Sequence, residues 1–486
     1  MSTHPPASPS PVDERNFALD VIRGIALFGI LFISIREFGG FTLNEQVRYI
    51  TSSSHGGNYK LLSLVSLLFE GKMTGLLAII IAAGMILFLQ KKEHPVAIGN
   101  TDAFIRQQIW LMIFGLFTAF IILWPDEVLF PFGVVAIMLF AFWKLPAKSL
   151  FIAALICTLV FCGKTYWNYA EDKDDYQKYV AVTVIEKKFK ADSAVRAQDS
   201  IKITKDTTNL KTKLAKIKLT DSLARKKDTL TEKQAGEKSK WEGIVKSDKY
   251  DSLKTVKQNK AMRLGYSKVW FTLKGKAQNK ESNWLYSIGL WEISAMMFLG
   301  MALLGIGFFH RRFSTANYLL AALILIAGGI GLGLYRLHGY ELRLLDYTKF
   351  ISSHPVPHNL FQPFEQLLMA AGYASLIMAL LRVNLLQWIW KGMAAVGHMT
   401  LSNYILQTFA CAFIFYGYGL GFYGRYEQWE LYFLVAEIIL VQVVFSVFWM
   451  RTYTTGPLEW ALKCLVYWKR LPLEKRPVAP VTAIID

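Results

Sequence analysis

Asp20 and Arg23 stand three residues apart in ALDVIRGIALFGILF (residues 18–32), a run that is otherwise apolar or glycine. At that spacing both side chains occupy one face of a helix. Charged groups inside an apolar span are costly and mark function by default. Two chemistries fit the pair. One is an ion pair that fixes the helix end. The other is an anion site, because the Arg fork donates two hydrogen bonds to a phosphate. FEGKMTGLL (69–77) sets Glu70 and Lys72 at the start of another apolar run, and LWPDEVLFPFG (123–133) sets Asp126 and Glu127 in a turn. GLWEISAMM (289–297) adds Glu292. Carboxylates held near apolar surface bind their protons more tightly and can act as general acid or base. Glu70, Asp126 and Glu292 are therefore expected to converge on one outer polar cavity, with Asp126 or Glu70 as the base. Helix capping and interfacial anchoring are the alternative.

AVGHMTLSNYILQTF (395–409) carries Thr400, Asn403 and Gln407 on one helical face. Such groups either hydrogen-bond neighbouring helices or line a substrate pathway. Glu437 and Gln442, in a later run, are their expected partners. In TTGPLEW (454–460), Gly-Pro breaks the chain and Pro457 suits the first turn of a new helix. Glu459 is fixed at the start of that helix, which is expected to lie in the membrane interface. His55, His338, His354 and His358 show no zinc spacing, so no metal centre is expected. Cys157, Cys162, Cys411 and Cys464 lie in or beside apolar stretches and read as membrane thiols, not a disulfide framework. The sequence holds no P-loop, no GxSxG elbow and no dinucleotide fingerprint.

The elements that must position these residues are membrane spans. The 486-residue chain is 53% hydrophobic and repeatedly holds runs long enough to cross a bilayer as helix. Ten spans are expected: 17–35, 72–89, 105–124, 128–143, 149–167, 284–309, 316–335, 365–381, 394–416 and 430–450. The run 61–69 is too short to cross alone and either lies at the interface or extends the second span. The predicted fold class is all-α, a polytopic integral membrane helix bundle with a long polar, charged, helical insert.

Lys and Arg in short loops set the orientation. Lys91, Lys92, Arg106, Lys144, Lys148, Arg311, Arg312, Arg382 and Lys391 fall on one side with the C-terminal basic residues. Both termini are therefore expected in the cytoplasm, and the insert 168–283 in the periplasm. Residues 171–283 hold 28 Lys and Arg against 16 Asp and Glu, a net +12 of the chain's +18. That insert is read as a solvated helical spacer or hairpin, with contact to an acidic polymer or anionic headgroups as the sharper idea. No aromatic-interleaved basic patch points to nucleic acid. The predicted organisation is a disordered tail 1–16, spans 17–167, the insert 168–283, a C-terminal transmembrane domain 284–470 and a cytoplasmic tail 471–486.

Several stretches together resemble the YeiB-like family of bacterial inner-membrane proteins, which carries the domain of unknown function 418. They are ALDVIRGIALFGILF, FEGKMTGLLAIIIAAGM, RQQIWLMIFGLF followed by LWPDEVL, WEISAMMFLGMALLGIGF, and AVGHMTLSNYILQT with GYGLGFYG and QVVFSVFWMRTYTTGPLEW. The family's fold and its Asp-x-x-Arg-Gly block resemble a wider group of membrane acyltransferases. The resemblance implies acyl-CoA as co-substrate and an envelope glycan or lipid as acceptor. It gives Asp20 and Arg23 a place beside a CoA phosphate, and Glu70, Lys72 and Asp126 a place near the acceptor. The chain also departs from the family pattern: Thr118 stands where His is usual, Ser34 for Asn, His398 for Arg, and Phe132 for Tyr. The first reading is thus an acyltransferase-like membrane protein. A transporter or flippase using Asn403, Gln407, Glu437 and Gln442 is the second, and an envelope scaffold that uses its insert is the third.

Overall fold

The computed structural model describes residues 11–41, 47, 57–90, 99–204, 230–247, 249–383 and 386–475. Lys91, Lys92, His55 and most of the N-terminal tail lie outside these residues. Among the described residues the fold is all-α, with one isolated antiparallel bridge, Tyr453 to Glu474.

The chain opens with α1 (Pro11–Phe38), so helix begins inside the segment expected to be a tail. Next come α2 (Gly57–Leu68) and α3 (Lys72–Leu89). The short run at 61–69 therefore extends the second span through a bend at Gly71, whose φ of +73° suits glycine. α4 (Asn100–Phe117) continues as a π-turn over Thr118–Ile122, and α5 (Leu129–Leu139) follows. α6 is long, Ala147–Thr204. α7 (Glu232–Ser247), α8 (Ser252–Met262) and α9 (Tyr266–Asn279) lead into a π-segment, Lys280–Gly289, and then α10 (Leu290–Gly305). α11 (Thr315–Leu345), α12 (Tyr347–Ser353) and α13 (Gln362–Arg382) precede α14 (Gln387–His398). α15 (Thr400–Phe415), α16 (Gln428–Thr452) and α17 (Pro457–Tyr467) complete the chain.

Among the described residues, eight helical stretches are long and apolar enough to cross a membrane, and Leu129–Phe142 and Thr400–Phe415 are shorter apolar helices. Each of the ten overlaps one of the expected spans. The ninth is corrected: the expected span 394–416 breaks at Met399, so its first residues belong to α14 and the apolar helix starts at Thr400.

Two compact units divide the chain. One holds residues 1–164, 251–339 and 358–486; the other holds 165–250 and 340–357. The polar segment drawn at 168–283 is thus split. Its later part, α8 and α9, packs Met262, Val269 and Leu273 into a cluster with Leu31, Ile35, Phe38 and Phe415 of the larger unit.

In the larger unit, burial separates inner from outer helices. The windows in 17–38, 57–89, 266–305 and 362–382 are 67–72% buried, whereas those in 100–122, 147–196, 315–345 and 428–452 are 22–33% buried. Outer helices leave Ile113, Leu155, Leu323 and Val441 exposed, as expected where the solvent is lipid tail. In the smaller unit, Trp241 of α7 is buried among Tyr169, Tyr347, Phe350 and Ile351, and stacks on Tyr347 with ring centroids 5.5 Å apart. Lys238 pairs with Glu186 at 2.8 Å, and Lys240 with Asp175 at 2.7 Å, so α7 runs antiparallel to the polar part of α6.

Candidate functional site

Polar side chains gather at both ends of α1, inside the larger unit. Arg23 and Arg36 mark the two places, about 20 Å apart along the helix axis at 1.5 Å per residue.

At the N-terminal end, Arg23 Nη1 donates to Asp20 Oδ1 at 2.8 Å. The pair is part-buried, with Arg23 28% exposed. His398 closes on the same carboxylate: its Nδ1 lies 3.1 Å from Asp20 Oδ2, and its Nε2 lies 3.2 Å from the Thr454 carbonyl. Two glycines allow this. A side chain on Gly397 would overlap the Asp20 carbonyl, and one on Gly24 would overlap the Met393 carbonyl, so α1 and α14 meet backbone to backbone. The Arg23 guanidinium also lies over Gly84 of α3. The result is a cation at the bundle's edge, fixed by one carboxylate and still partly open.

The far end is denser. Glu365 of α13 is fully buried and accepts from Arg336 Nε at 2.7 Å on Oε2 and Nη2 at 3.1 Å on Oε1, while Lys72 Nζ lies 2.5 Å from that same Oε1. Lys72 also donates to the Ser66 carbonyl at 2.9 Å, and the Ser66 hydroxyl donates to Glu70. Buried charges persist only when paired and hydrogen-bonded in this way. Gln366, next to Glu365, lies against Gly71 and is hydrogen-bonded to Glu292 of α10. Lys280 reaches Asp126 at 2.6 Å, stands 3.4 Å over the Trp284 ring, and is in the field of Glu292 and Glu37. Glu37 and Glu70 stay exposed to solvent although charged groups from several other segments surround each. Surrounded by charge yet still partly accessible, they line a polar recess between segments.

Local backbone explains how the turn at 123–128 enters this recess. The π-turn at 118–122 ends at Leu123, held at φ +71°. A non-glycine residue there costs of order 1–3 kcal/mol and is kept only where its surroundings require it. The turn then delivers two acids with different surroundings. Asp126 is 43% exposed toward Lys280. Glu127 is fully buried, and its carboxylate accepts the N–H groups of Leu129 at 2.7 Å and Phe130 at 2.9 Å, the first free amides of α5. Burial pushes the Glu127 carboxyl up to about 7. π-segments recur at functional sites, and the second one here supplies Lys280 and Glu281 to the same place.

The predicted site residues are thus sorted. Asp20 and Arg23 form one cluster. Glu70, Lys72, Asp126 and Glu292 meet in the other. Asn403 is buried and locks three helices: its side-chain amide donates to Val396 O at 3.2 Å and Ser446 Oγ at 2.9 Å, and Gln442 donates to its backbone carbonyl at 2.8 Å. Gln407 is buried one turn on. Glu437 is corrected: it is exposed on α16 beside Phe433, Leu440 and Val441, turned away from Asn403, because the inward face of α16 is Val435, Ile438 and Gln442. Glu459 accepts from the Ser402 N–H at 3.0 Å and from its hydroxyl, and Ser402 in turn accepts from Leu458 N at 3.0 Å. It ties the start of α15 to the start of α17. Thr118 is fully buried and donates to Phe114 O at 2.8 Å, and Phe132 is core. Ser34 lies on α1 between the clusters. The residues missed from sequence are Arg36, Glu37, Lys280, Glu281, Arg336, Glu365 and His398. Glu365 and Arg336 sit at span ends, the same signal that picked out Glu70.

The family model described as "Protein of unknown function (DUF418)" matches residues 303–469. "Uncharacterized protein YeiB" of Escherichia coli (strain K12) is 24% identical over 480 residues, covering 95% of this chain and 97% of the relative. "Uncharacterized protein YxaH" of Bacillus subtilis (strain 168) is 22% identical over 481 residues, covering 96% of this chain and 98% of the relative. "Uncharacterized 39.9 kDa protein in amylase 3'region" of Bacillus acidopullulyticus is 26% identical over 106 residues, 22% of this chain and 30% of the relative. No solved structure matches.

Proposed function

We propose that this membrane protein, which the DUF418 family model matches over residues 303–469 and which is similar to YeiB along nearly its whole length, transfers an acyl group from acyl-CoA to an envelope glycan or lipid. The observation that carries this reading is the pair of unlike charged clusters at the two ends of α1: a part-open Arg at one, and at the other a polar recess lined by carboxylates and lysine. With both termini in the cytoplasm of a bacterial inner membrane, Arg23 faces the side where CoA is found, and the recess faces the envelope.

In this reading Arg23, braced by Asp20 and His398, holds CoA phosphates. The acceptor hydroxyl or amine enters the recess. Asp126, aimed by Lys280, removes its proton as the new bond to the acyl carbon forms. The carbon–sulfur bond breaks, and the proton ends on the CoA sulfur. Thr118 cannot act as base, since it is buried and its hydroxyl is committed to a carbonyl. The transport alternative draws less support, because Asn403 and Gln442 serve helix packing and Glu437 faces outward.

Thermal melting of detergent-purified protein tests the donor site. Saturating acetyl-CoA at about a hundred times its Kd should stabilise the wild type by about 2.7 kcal/mol. The shift should vanish in Arg23→Ala while the unliganded variant still folds. Absence of a shift with acetyl-CoA and with a longer acyl-CoA would overturn the reading.

A further inference from the structure

Glu127 and Glu281 face each other at the edge of the recess, and hydrogen-bond accounting fixes how they coexist. Both oxygens of Glu127 already accept backbone N–H groups, from Leu129 and Phe130. Both oxygens of Glu281 are buried and meet no donor. The two carboxyls nonetheless lie within hydrogen-bonding reach of one another. Two ionised carboxylates only accept, so a contact between them requires a proton. The amides favour the anion on Glu127, which leaves the proton on Glu281.

We propose that Glu127 and Glu281 form a proton-binding pair that holds one proton and exchanges it with the recess through Asp126. The groups facing the pair are Asp126 and Lys280 from the turn and the π-segment, and Tyr404 of α15, whose hydroxyl accepts from Val128 N at 3.3 Å. Gly115 of α4 presses on it from behind: a Cβ there would stand 2.8 Å from Glu127 Oε2. Lys280 is bound to Asp126, so it does not neutralise the pair outright. Proton loss leaves two buried anions side by side. Proton gain by Glu127 as well would break its contacts with the amides. One proton is the stable loading.

The inference stands whichever substrate the recess takes, so its failure would leave the acyl-transfer reading in place. It also fixes the sign of the pH response. The folded protein binds the pair's proton more tightly than the unfolded chain does. The resulting stability is complete below the ordinary carboxyl range and is lost as pH rises from about 7 toward about 9, the values for Glu127 and Glu281.

An infrared titration of the full-length protein across neutral pH reads the pair directly. A protonated-carboxyl band should bleach as pH rises in the wild type. The band should be missing in Glu281→Gln, whose amide still donates to Glu127 and preserves the fold. The melting temperature of that variant should lose its fall across neutral pH. Glu127→Gln should remove the same band and serves if Glu281→Gln does not fold. A band that persists in a folded variant, or is absent from the wild type, would overturn the proposal. So would a wild-type melting temperature that rises with added sodium or calcium at constant pH and ionic strength, since a cation would then bridge the carboxyls.

Discussion

The two ends of α1 use the same residue types under opposite conditions. At Asp20–Arg23–His398 the charges are part-open, few in number and held by two glycine contacts. At Lys72–Glu365–Arg336 they are sealed, numerous and mutually dependent. An exposed ion pair is worth little to stability, about 0–1 kcal/mol, because water competes for both partners. A sealed pair cannot lose a partner without stranding a charge in low dielectric. The first arrangement therefore leaves a cation free to exchange its partner for a ligand. The second forms a rigid floor on which Asp126 and Lys280 are presented. The same charge thus does different work depending on what surrounds it.

The largest expected effect attacks the sealed end. Glu365→Leu strands Lys72 and Arg336 and should cost about 3–5 kcal/mol, read as a fall in melting temperature of the purified protein; a variant as stable as wild type would erase the contrast between the two ends. Next comes Asp126→Asn, which should lower acyl transfer about 10²–10⁴-fold at unchanged melting temperature. Equal rates would remove Asp126 from the chemistry and leave it a surface partner of Lys280. Gly397→Ala forces apart α1 and α14 and should cost about 1–3 kcal/mol, together with the Asp20–His398 contact. Its melting temperature and acetyl-CoA shift, compared with those of Arg23→Ala, separate lost geometry from lost charge. Arg23→Ala alone should change the unliganded stability by no more than about 1 kcal/mol. The smallest effect is assigned to Glu437→Gln, which should leave transfer unchanged. A clear loss in that variant would revive the pathway reading built on α16.

Much of the scaffold was legible because membrane solvent imposes a simple code. Each expected span has its apolar helix, since a backbone in hydrocarbon must satisfy itself. The Asp20–Arg23 contact was legible for the same local reason: three residues bring side chains together on any helix. The meeting of Glu70, Asp126 and Glu292 was only half legible. Their placement at span ends followed from hydropathy, but the cations that hold them, Lys280 and Arg336, sit in segments read as spacer and span edge. Glu437 shows the converse error. Its span was right, but a helix has several faces, and hydropathy does not say which one turns inward when nearly all residues are apolar.

The sequence by itself determined an all-α membrane bundle, its helices, and the contacts made within one helical turn, because those depend on periods of a few residues and on solvent. Tertiary structure alone decided that His398 reaches Asp20 across 378 positions, that Glu365 joins Lys72 to Arg336, and that Glu127 meets Glu281. Those contacts depend on which helix faces approach and how closely. That approach is set by small residues such as Gly24, Gly71 and Gly397, whose neighbours lie on other segments of the chain.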